Sequence, residues 1–232
     1  EHLRIRIKFE NSKKAYEKLP RINKWIDYMM RQVLINDVTY DIYFREINRY
    51  GGKEIIEFCE KIFFKDSLTV EKILSYYDLN QIDNIEKSYI IGITFILKNL
   101  TKGLEEMFQI LDSMGFQNNY RKEYREESRC YLQYVRSVLN ECEEKYLDVK
   151  EEHLQEKRAL KIYAKKLENQ IKLKKNTNKK ENIILSIIHM YCNRITGNRI
   201  YENKYLAIVR HALYQILQQE KHYPKIASKD II

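Results

Sequence analysis

The apolar residues of this chain repeat with two different periods, and the change from one to the other sets the fold class that the sequence predicts. Residues 2–9 alternate, with an apolar face and a cationic face, as in a strand that packs on a core. Residues 38–45 alternate in the same way. Between them, apolar residues at helical spacing follow Pro20 and predict a helix to about Leu34. The first 45 residues therefore predict two strands and a helix.

From Lys53 onward the apolar spacing predicts helices and no convincing strand. The expected helices cover residues 53–64, 67–77, 84–100, 102–114, 181–194 and 199–220, with one long helix or two joined helices over residues 119–173. Gly115 and the turn around Gly197 are expected to separate helices. The predicted class is α+β: a small N-terminal strand-bearing part followed by a larger, mostly helical part, in a single domain over residues 1–232.

The composition is that of a folded chain with a substantial core. Only two prolines and six glycines occur in 232 residues, of which 44% are hydrophobic, and this excludes collagen-like, disordered and linker-dominated chains. The four cysteines show no C-x-x-C spacing, so reduced, buried thiols in a cytoplasmic protein are expected. The chain does not begin with Met and alternation starts at residue 2, so we expect a fragment of a longer protein.

The net charge of +9 comes from one segment. Residues 157–180 hold ten Lys or Arg side chains and one acid, Glu168, while the other basic and acidic residues of the chain cancel. The pattern predicts a solvated helix face followed by a loop. The alternative is a surface that binds RNA or an anionic membrane.

The usual enzyme motifs are missing, and the candidate site residues are arginines and one histidine. The five histidines are scattered, so their spacing predicts no metal site. Arg4 and Arg6 would project from one face of a strand about 7 Å apart and could grip a dicarboxylate, unless they only protect a strand edge. Arg49 precedes Gly51 and Gly52, where the backbone can approach a ligand closely; the alternative is an ordinary surface arginine.

His189 is predicted to lie on the polar side of its helix. Asn193 follows one turn later and Arg194 comes near the helix end, so hydrogen-bond partners and a cation could converge on the imidazole. The ordinary pKa of histidine is about 6.5, which makes this residue type the natural general acid or base at cytoplasmic pH. A solvent-exposed helix histidine without a function is the alternative.

Four short motifs, taken in order, resemble the C-terminal elimination domain of lantibiotic dehydratases of the nisin and subtilin type. The motifs are His2-Leu3-Arg4-Ile5-Arg6, Arg45-Glu46-Ile47-Asn48-Arg49-Tyr50-Gly51-Gly52, Phe63-Phe64-Lys65-Asp66-Ser67, and His189-Met190-Tyr191-Cys192-Asn193-Arg194 with Gly197. The resemblance spans nearly the whole chain. The family's domain has further residues before the first motif, and a large glutamylation domain before those, which this sequence lacks.

The resemblance implies a lyase. Such an enzyme eliminates glutamate from glutamylated Ser or Thr of a lantibiotic precursor peptide and leaves dehydroalanine or dehydrobutyrine. The elimination requires no metal or organic cofactor, and glutamyl-tRNA is used by the domain that is absent here. By this resemblance, catalytic roles fall to His189, Arg6 and Arg49, and substrate binding to Arg4, Asn193 and Arg194. We expect Arg4, Arg6, Arg49 and His189 to lie around one cavity.

The resemblance also implies partners and leaves alternatives open. The partners are the precursor peptide, the lantibiotic cyclase and transporter, tRNA through the absent domain, and a second copy in a homodimer of the full-length protein. The implied location is cytoplasmic, with membrane association through partners. One alternative is the related enzyme that forms the pyridine ring of thiopeptides by cycloaddition. The other is a non-enzymatic helical module that binds RNA or a partner through residues 157–180.

Overall fold

The computed structural model describes residues 5–78, 81–175 and 178–222, and regular structure in these residues is helical. The chain divides after Arg45 into two compact units, residues 1–45 and residues 46–232. The helices of the described residues are α1 (Ser12–Arg31), α2 (Ile56–Tyr76), α3 (Ile82–Leu100), α4 (Leu104–Asp112), α5 (Arg121–Leu139), a 3₁₀ turn (Glu143–Lys145), α6 (Lys150–Lys172), α7 (Lys180–Ile195) and α8 (Arg199–His222). Only α1 belongs to the first unit.

The predicted α+β class is wrong, because the described residues form no strand. Residues 5–9 and 38–45 are not paired in a sheet, and residues 2–4 of the first predicted strand lie outside the described residues. The apolar side chains that alternate are exposed, to 53% at Ile7, 73% at Ile42 and 79% at Phe44. Alternation indicates which face of a segment could be buried, but a strand forms only where a neighbouring strand completes its hydrogen bonds.

The first unit contains α1, which begins two turns earlier than predicted. Asn11 caps the helix, since its Oδ1 accepts a hydrogen bond from the backbone N–H of Lys14 at 2.9 Å. Pro20, which the sequence places in the first turn, lies inside the helix. No residue of α1 is buried, and Trp25, the one tryptophan of the sequence, is 45% exposed.

The second unit is built around α3. A single hydrophobic cluster reaches from Tyr50 to Ile216, and every residue of α3 from position 88 to position 97 is buried within it. A helix that is apolar on all sides must be covered on all sides. Accordingly α3 packs against α4, α5, α6, α7 and α8, while α2 packs across α6 and α7.

The helix α7 is fixed along α3 by a close approach and by hydrogen bonds. A Cβ atom added at Gly92 would lie 2.1 Å from Cζ of Tyr191, so only glycine leaves room for this ring. The Tyr191 hydroxyl donates to the backbone oxygen of Ser88 at 2.6 Å. In the same region, the hydroxyl groups of Tyr89 and Thr196 are 2.6 Å apart. The position of the end of α7 therefore depends on Gly92, on the Ser88 backbone oxygen and on the Tyr89 side chain.

The helix order of the second unit follows the sequence-based prediction, with two differences in the bounds. Residues 53–64 and 67–77, predicted as two helices, form the single helix α2. Residues 119–173 form α5 and α6, separated by the 3₁₀ turn. All four cysteines are free; Cys59 and Cys192 are buried as expected, whereas Cys130 and Cys142 are only partly buried. Among the described helices, none is both long and apolar enough to cross a membrane.

Candidate active site

His189 lies on α7, near the turn that reverses the chain into α8. Gly197 has a φ of +66°, a left-handed conformation that glycine adopts readily after a helix end. Asn198 then caps α8, because its side-chain Oδ1 accepts from the backbone N–H of Ile200 at 2.9 Å and of Tyr201 at 3.3 Å. This turn brings the last turns of α7 beside the first turns of α8.

Three side chains surround the imidazole of His189. Nδ1 lies 2.9 Å and 3.1 Å from the two carboxylate oxygens of Glu202, and 3.1 Å from Nη1 of Arg199. Arg199 Nη1 also donates to Glu202 Oε1 at 2.8 Å. On the other side of the ring, Nε2 lies 3.0 Å from the side-chain nitrogen of Asn193. The Glu202 side chain is 5% exposed and that of His189 is 28% exposed, so the carboxylate is the inner member of the pair.

Arg194 lies on the same helix but turns toward α2. Its guanidinium forms an ion pair with the buried Asp66 and lies 5.1 Å from the ring centre of Phe63. Burial raises the pKa of Asp66 to about 6 against the opposing charge of Arg194. Burial, and secondly the charge of Asp66, raises the pKa of the neighbouring Glu156 to about 8. The arginine is therefore held in a buried charge cluster.

Arg49 is held in the loop before α2. Nη1 of Arg49 is 3.0 Å from Oε1 of Glu46, and the guanidinium lies 5.6 Å from the ring centre of Tyr50. The backbone oxygen of Tyr50 accepts a hydrogen bond at 2.9 Å from the hydroxyl of Tyr163 on α6. The Tyr50 ring packs edge-on against Phe63, with ring centres 5.0 Å apart. The second and third sequence motifs therefore touch, and Asp66 joins the third to the fourth.

The remaining predicted site residues lie in the first unit. Arg4 is outside the described residues. Arg6 is exposed, and its guanidinium lies 4.8 Å from the ring centre of Tyr43 within the same unit. The structure brings His189 and Asn193 into contact and links Arg49 to Arg194 through two aromatic rings. The single cavity expected around Arg4, Arg6, Arg49 and His189 stays a prediction.

The structure also shows two residues at His189 that the sequence pattern did not indicate, Glu202 and Arg199. Both follow the Gly197 turn, and a short turn between helices places residues on either side of it opposite each other. The Gly197 turn in the sequence indicates that residues of the two helices meet. Which residues face each other depends on the rotation of each helix about its own axis, which the sequence does not show. Within the described residues, no group of three or more His, Cys, Asp or Glu side chains is placed to hold a metal ion. A surface groove of about 540 Å³ lies between α5 and α8, lined partly by Arg121 and Tyr214.

Comparison with known proteins identifies the class to which this helical chain belongs. The family model described as lantibiotic biosynthesis dehydratase C-term matches residues 1–214, and the chain is a member of this family. It is 29% identical over 220 residues to the subtilin biosynthesis protein SpaB of Bacillus subtilis, which covers 90% of this chain and 21% of that protein. It is 31% identical over 194 residues to the epidermin biosynthesis protein EpiB of Staphylococcus epidermidis, covering 80% and 18%.

These relatives are proteins of lantibiotic biosynthesis, and the chain spans about a fifth of their length. No solved structure matches the chain.

Proposed function

We propose that this chain eliminates glutamate from glutamylated Ser or Thr residues of a lantibiotic precursor peptide. The observation that carries the proposal is the setting of His189, whose imidazole is 28% exposed and is held by Glu202, Arg199 and Asn193. A histidine fixed by partners and still open to solvent is suited to move a proton on a bound molecule. Membership of the lantibiotic dehydratase family supports a precursor peptide as the substrate.

The chemistry places the main demand on proton removal. In the elimination, the bond between Cα and its hydrogen breaks, a Cα=Cβ double bond forms, and the bond from Cβ to the ester oxygen breaks. Glutamate leaves as a carboxylate, whose conjugate acid has a pKa of about 4, so its departure needs little help. The peptide Cα–H is far less acidic. His189 therefore acts as the base that removes this proton.

Cations would stabilise the negative charge that builds up on the substrate carbonyl and bind the glutamyl group. In the proposal Arg49 takes this role, while Arg6 and Arg4 keep the catalytic and substrate-binding roles that the family resemblance gives them. The Arg49 guanidinium offers paired donors to a carboxylate, although in the free protein Glu46 occupies part of that capacity. Asn193 supports His189, while Arg194 contributes by holding α7 to α2 through Asp66.

The family resemblance extends the proposal to the wider pathway. A glutamyl ester must be made before it can be eliminated, and we assign that step to transfer from glutamyl-tRNA. The use of tRNA implies a cytoplasmic reaction. The precursor peptide is then the substrate, and the lantibiotic cyclase, the transporter and a second copy of the protein are the proposed partners.

The test replaces His189 by Ala in the intact protein and follows the precursor peptide by mass spectrometry. Peptide that carries glutamyl groups should accumulate, because the ester forms while its elimination slows by about 10²- to 10⁴-fold. His222→Ala, at an exposed position near the end of α8, is the control and should process the peptide normally. Dehydrated peptide at the normal rate from His189→Ala would contradict the proposal, and so would wholly unmodified peptide from a folded variant.

A further inference from the structure

We propose that Glu202 is a positioning residue that acts through His189: its buried carboxylate fixes the Nδ1–H tautomer and leaves Nε2 as the atom that receives the substrate proton. This inference rests on the proposed elimination function. It goes beyond that function because it names the reacting nitrogen and a residue outside all four sequence motifs. Three observations support it, namely the hydrogen-bond directions, the burial of the carboxylate, and the access to Nε2.

The hydrogen-bond directions follow from which groups can donate. An ionised carboxylate only accepts, a guanidinium only donates, and neutral imidazole has one donor and one acceptor nitrogen. Both oxygens of Glu202 lie within 3.1 Å of Nδ1, so a lone pair on Nδ1 would face two acceptors. Nδ1 therefore carries the hydrogen and donates to Glu202. Arg199 Nη1 donates to Glu202 Oε1 at 2.8 Å. The 3.1 Å distance between Arg199 Nη1 and His189 Nδ1 is therefore a contact between two donors that share this carboxylate, and not a hydrogen bond.

The burial of Glu202 makes its charge effective. Its side chain is 5% exposed, and charges interact more strongly where water is excluded. When Nε2 takes a proton, the ring becomes a cation 2.9 Å from this carboxylate, and the pair stabilises that state. Arg199, 63% exposed on its side chain, offsets the cost of burying Glu202 before the proton arrives. The charged groups that contact His189 in the described residues, Glu202 and Arg199, both come from α8.

The opposite nitrogen contacts an exposed side chain. With Nδ1 as donor, Nε2 has a lone pair, and the side-chain amide of Asn193 donates to it at 3.0 Å. Asn193 is exposed, so a bound peptide can displace its amide. The geometry thus separates the roles of the two nitrogens, because Nδ1 is held by the protein and Nε2 meets the substrate. Metal-binding and protease histidines divide their two nitrogens in the same way.

The decisive variant is Glu202→Gln, which keeps the shape of the side chain and removes its charge. Elimination from a pre-glutamylated peptide should lose about 10- to 100-fold in kcat with little change in KM. In the double variant His189→Ala/Glu202→Gln, the second change should cost nothing further, since Glu202 acts only through His189.

The matched control is Glu143→Gln. Glu143 contacts His153 Nδ1 at 3.3 Å in a similarly buried pair, but His153 stacks on Phe95 and belongs to no proposed site. This variant should retain the wild-type kcat. A Glu202→Gln variant with wild-type kcat would overturn the inference, and so would an additional loss in the double variant.

A measurement without substitution covers the case in which Glu202→Gln does not fold. The ¹⁵N chemical shifts of the neutral His189 ring in the wild-type protein should identify the hydrogen on Nδ1. A hydrogen on Nε2 would overturn the inference. These outcomes can be told apart from a failure of the proposed function. An active His189→Ala variant would contradict the proposed function itself. An inactive His189→Ala variant together with a fully active Glu202→Gln variant would contradict only the role of Glu202.

Discussion

At the scale of single residues, the most unusual electrostatic feature is the pair of buried acids beside Arg194. Asp66 forms an ion pair with this arginine, and its Oδ1 has no hydrogen-bond partner among the described residues. Glu156 accepts a hydrogen bond from the hydroxyl of Thr69 at 2.8 Å. The positive charge of Arg194 thus acts on two buried carboxyl groups, those of Asp66 and Glu156. Because a second buried negative charge would lack a counterion, Glu156 is protonated at neutral pH.

The raised pKa of Glu156 predicts that the protein becomes less stable as the pH rises. Its pKa of about 8 in the folded state exceeds the ordinary value, so the folded protein binds more protons than the unfolded chain between about pH 4.5 and pH 8. Stability is therefore fully present below this window and is lost toward pH 8, by at most about 1.4 kcal/mol per pH unit. Glu156→Gln, which imitates the protonated acid, should flatten this dependence and exceed the wild type in stability at pH 8.

Urea unfolding at several pH values measures this effect. Glu126→Gln is the control, because the Glu126 side chain is 58% exposed and should leave the slope unchanged. A wild-type slope that persists in Glu156→Gln would show that another group is responsible.

The sequence could predict part of the residue-scale site. The contact between His189 and Asn193 follows from helical spacing, since residues four apart face each other. The same spacing could not show that Arg194 binds Asp66, because these residues are 128 positions apart and meet only through the packing of α2 on α7. Glu202 could not be predicted for a related reason. Its contact with His189 depends on the register between two helices, which a hydrophobic pattern does not specify.

At the scale of elements, the position of His189 depends on how α7 lies on α3. The start of α7 is held by Lys180, whose side chain is 12% exposed and pairs with Glu106 of α4 at 2.6 Å and with Glu168 of α6 at 2.5 Å. Its last turns are held by Tyr191, whose ring packs over Gly92. A shift of α7 would therefore disturb packing and ion pairs at the same time, which makes this helix a rigid support for a catalytic side chain.

Replacing Gly92 by Ala should destabilise the second unit by about 1–3 kcal/mol. Alanine normally favours a helix by about 1 kcal/mol over glycine, but here its Cβ would overlap the buried Tyr191 ring and force α7 away from α3. The free energy of unfolding from urea titration measures the loss. Gly103→Ala is the control, because an added Cβ there meets no atom within 4 Å. Equal stability of Gly92→Ala and wild type would contradict the close approach.

The contrast between helices and strands has a physical cause. Most hydrogen bonds of a helix form within the segment itself, so an apolar repeat of 3.6 residues nearly suffices to predict one, as it did for α3, α7 and α8. A strand needs a partner from elsewhere. Residues 38–45 alternate as clearly as any strand, yet Ile42 and Phe44 are exposed and no sheet forms in the described residues.

At the scale of the whole molecule, the core lies on one side of the division after Arg45. All members of the buried cluster fall between Tyr50 and Ile216, while α1 has no buried residue. The cationic segment, residues 157–180, also belongs to the second unit, and several of its lysine side chains are held in ion pairs. Lys157, Lys175 and Lys180 each form ion pairs with acids from other parts of the chain.

Residues 46–232 should therefore fold without residues 1–45. The truncated protein should keep its helical far-UV circular dichroism and unfold cooperatively, because the buried cluster lies entirely within it. Residues 1–45 alone should remain unfolded, since a segment of this size without a buried core cannot offset its conformational entropy. A truncated protein that loses cooperative unfolding would contradict this division.

The position of Trp25 gives each unit its own optical probe. Tryptophan emission comes entirely from α1 in the first unit, because the sequence has one tryptophan. The tyrosines with fully buried rings, Tyr50, Tyr89, Tyr131, Tyr163 and Tyr205, all lie in the second unit. Fluorescence thus reports on residues 1–45, and the near-ultraviolet dichroism of the immobilised tyrosine rings reports on residues 46–232. A structural change in the first unit would be visible in an unlabelled sample as a change in one emission band.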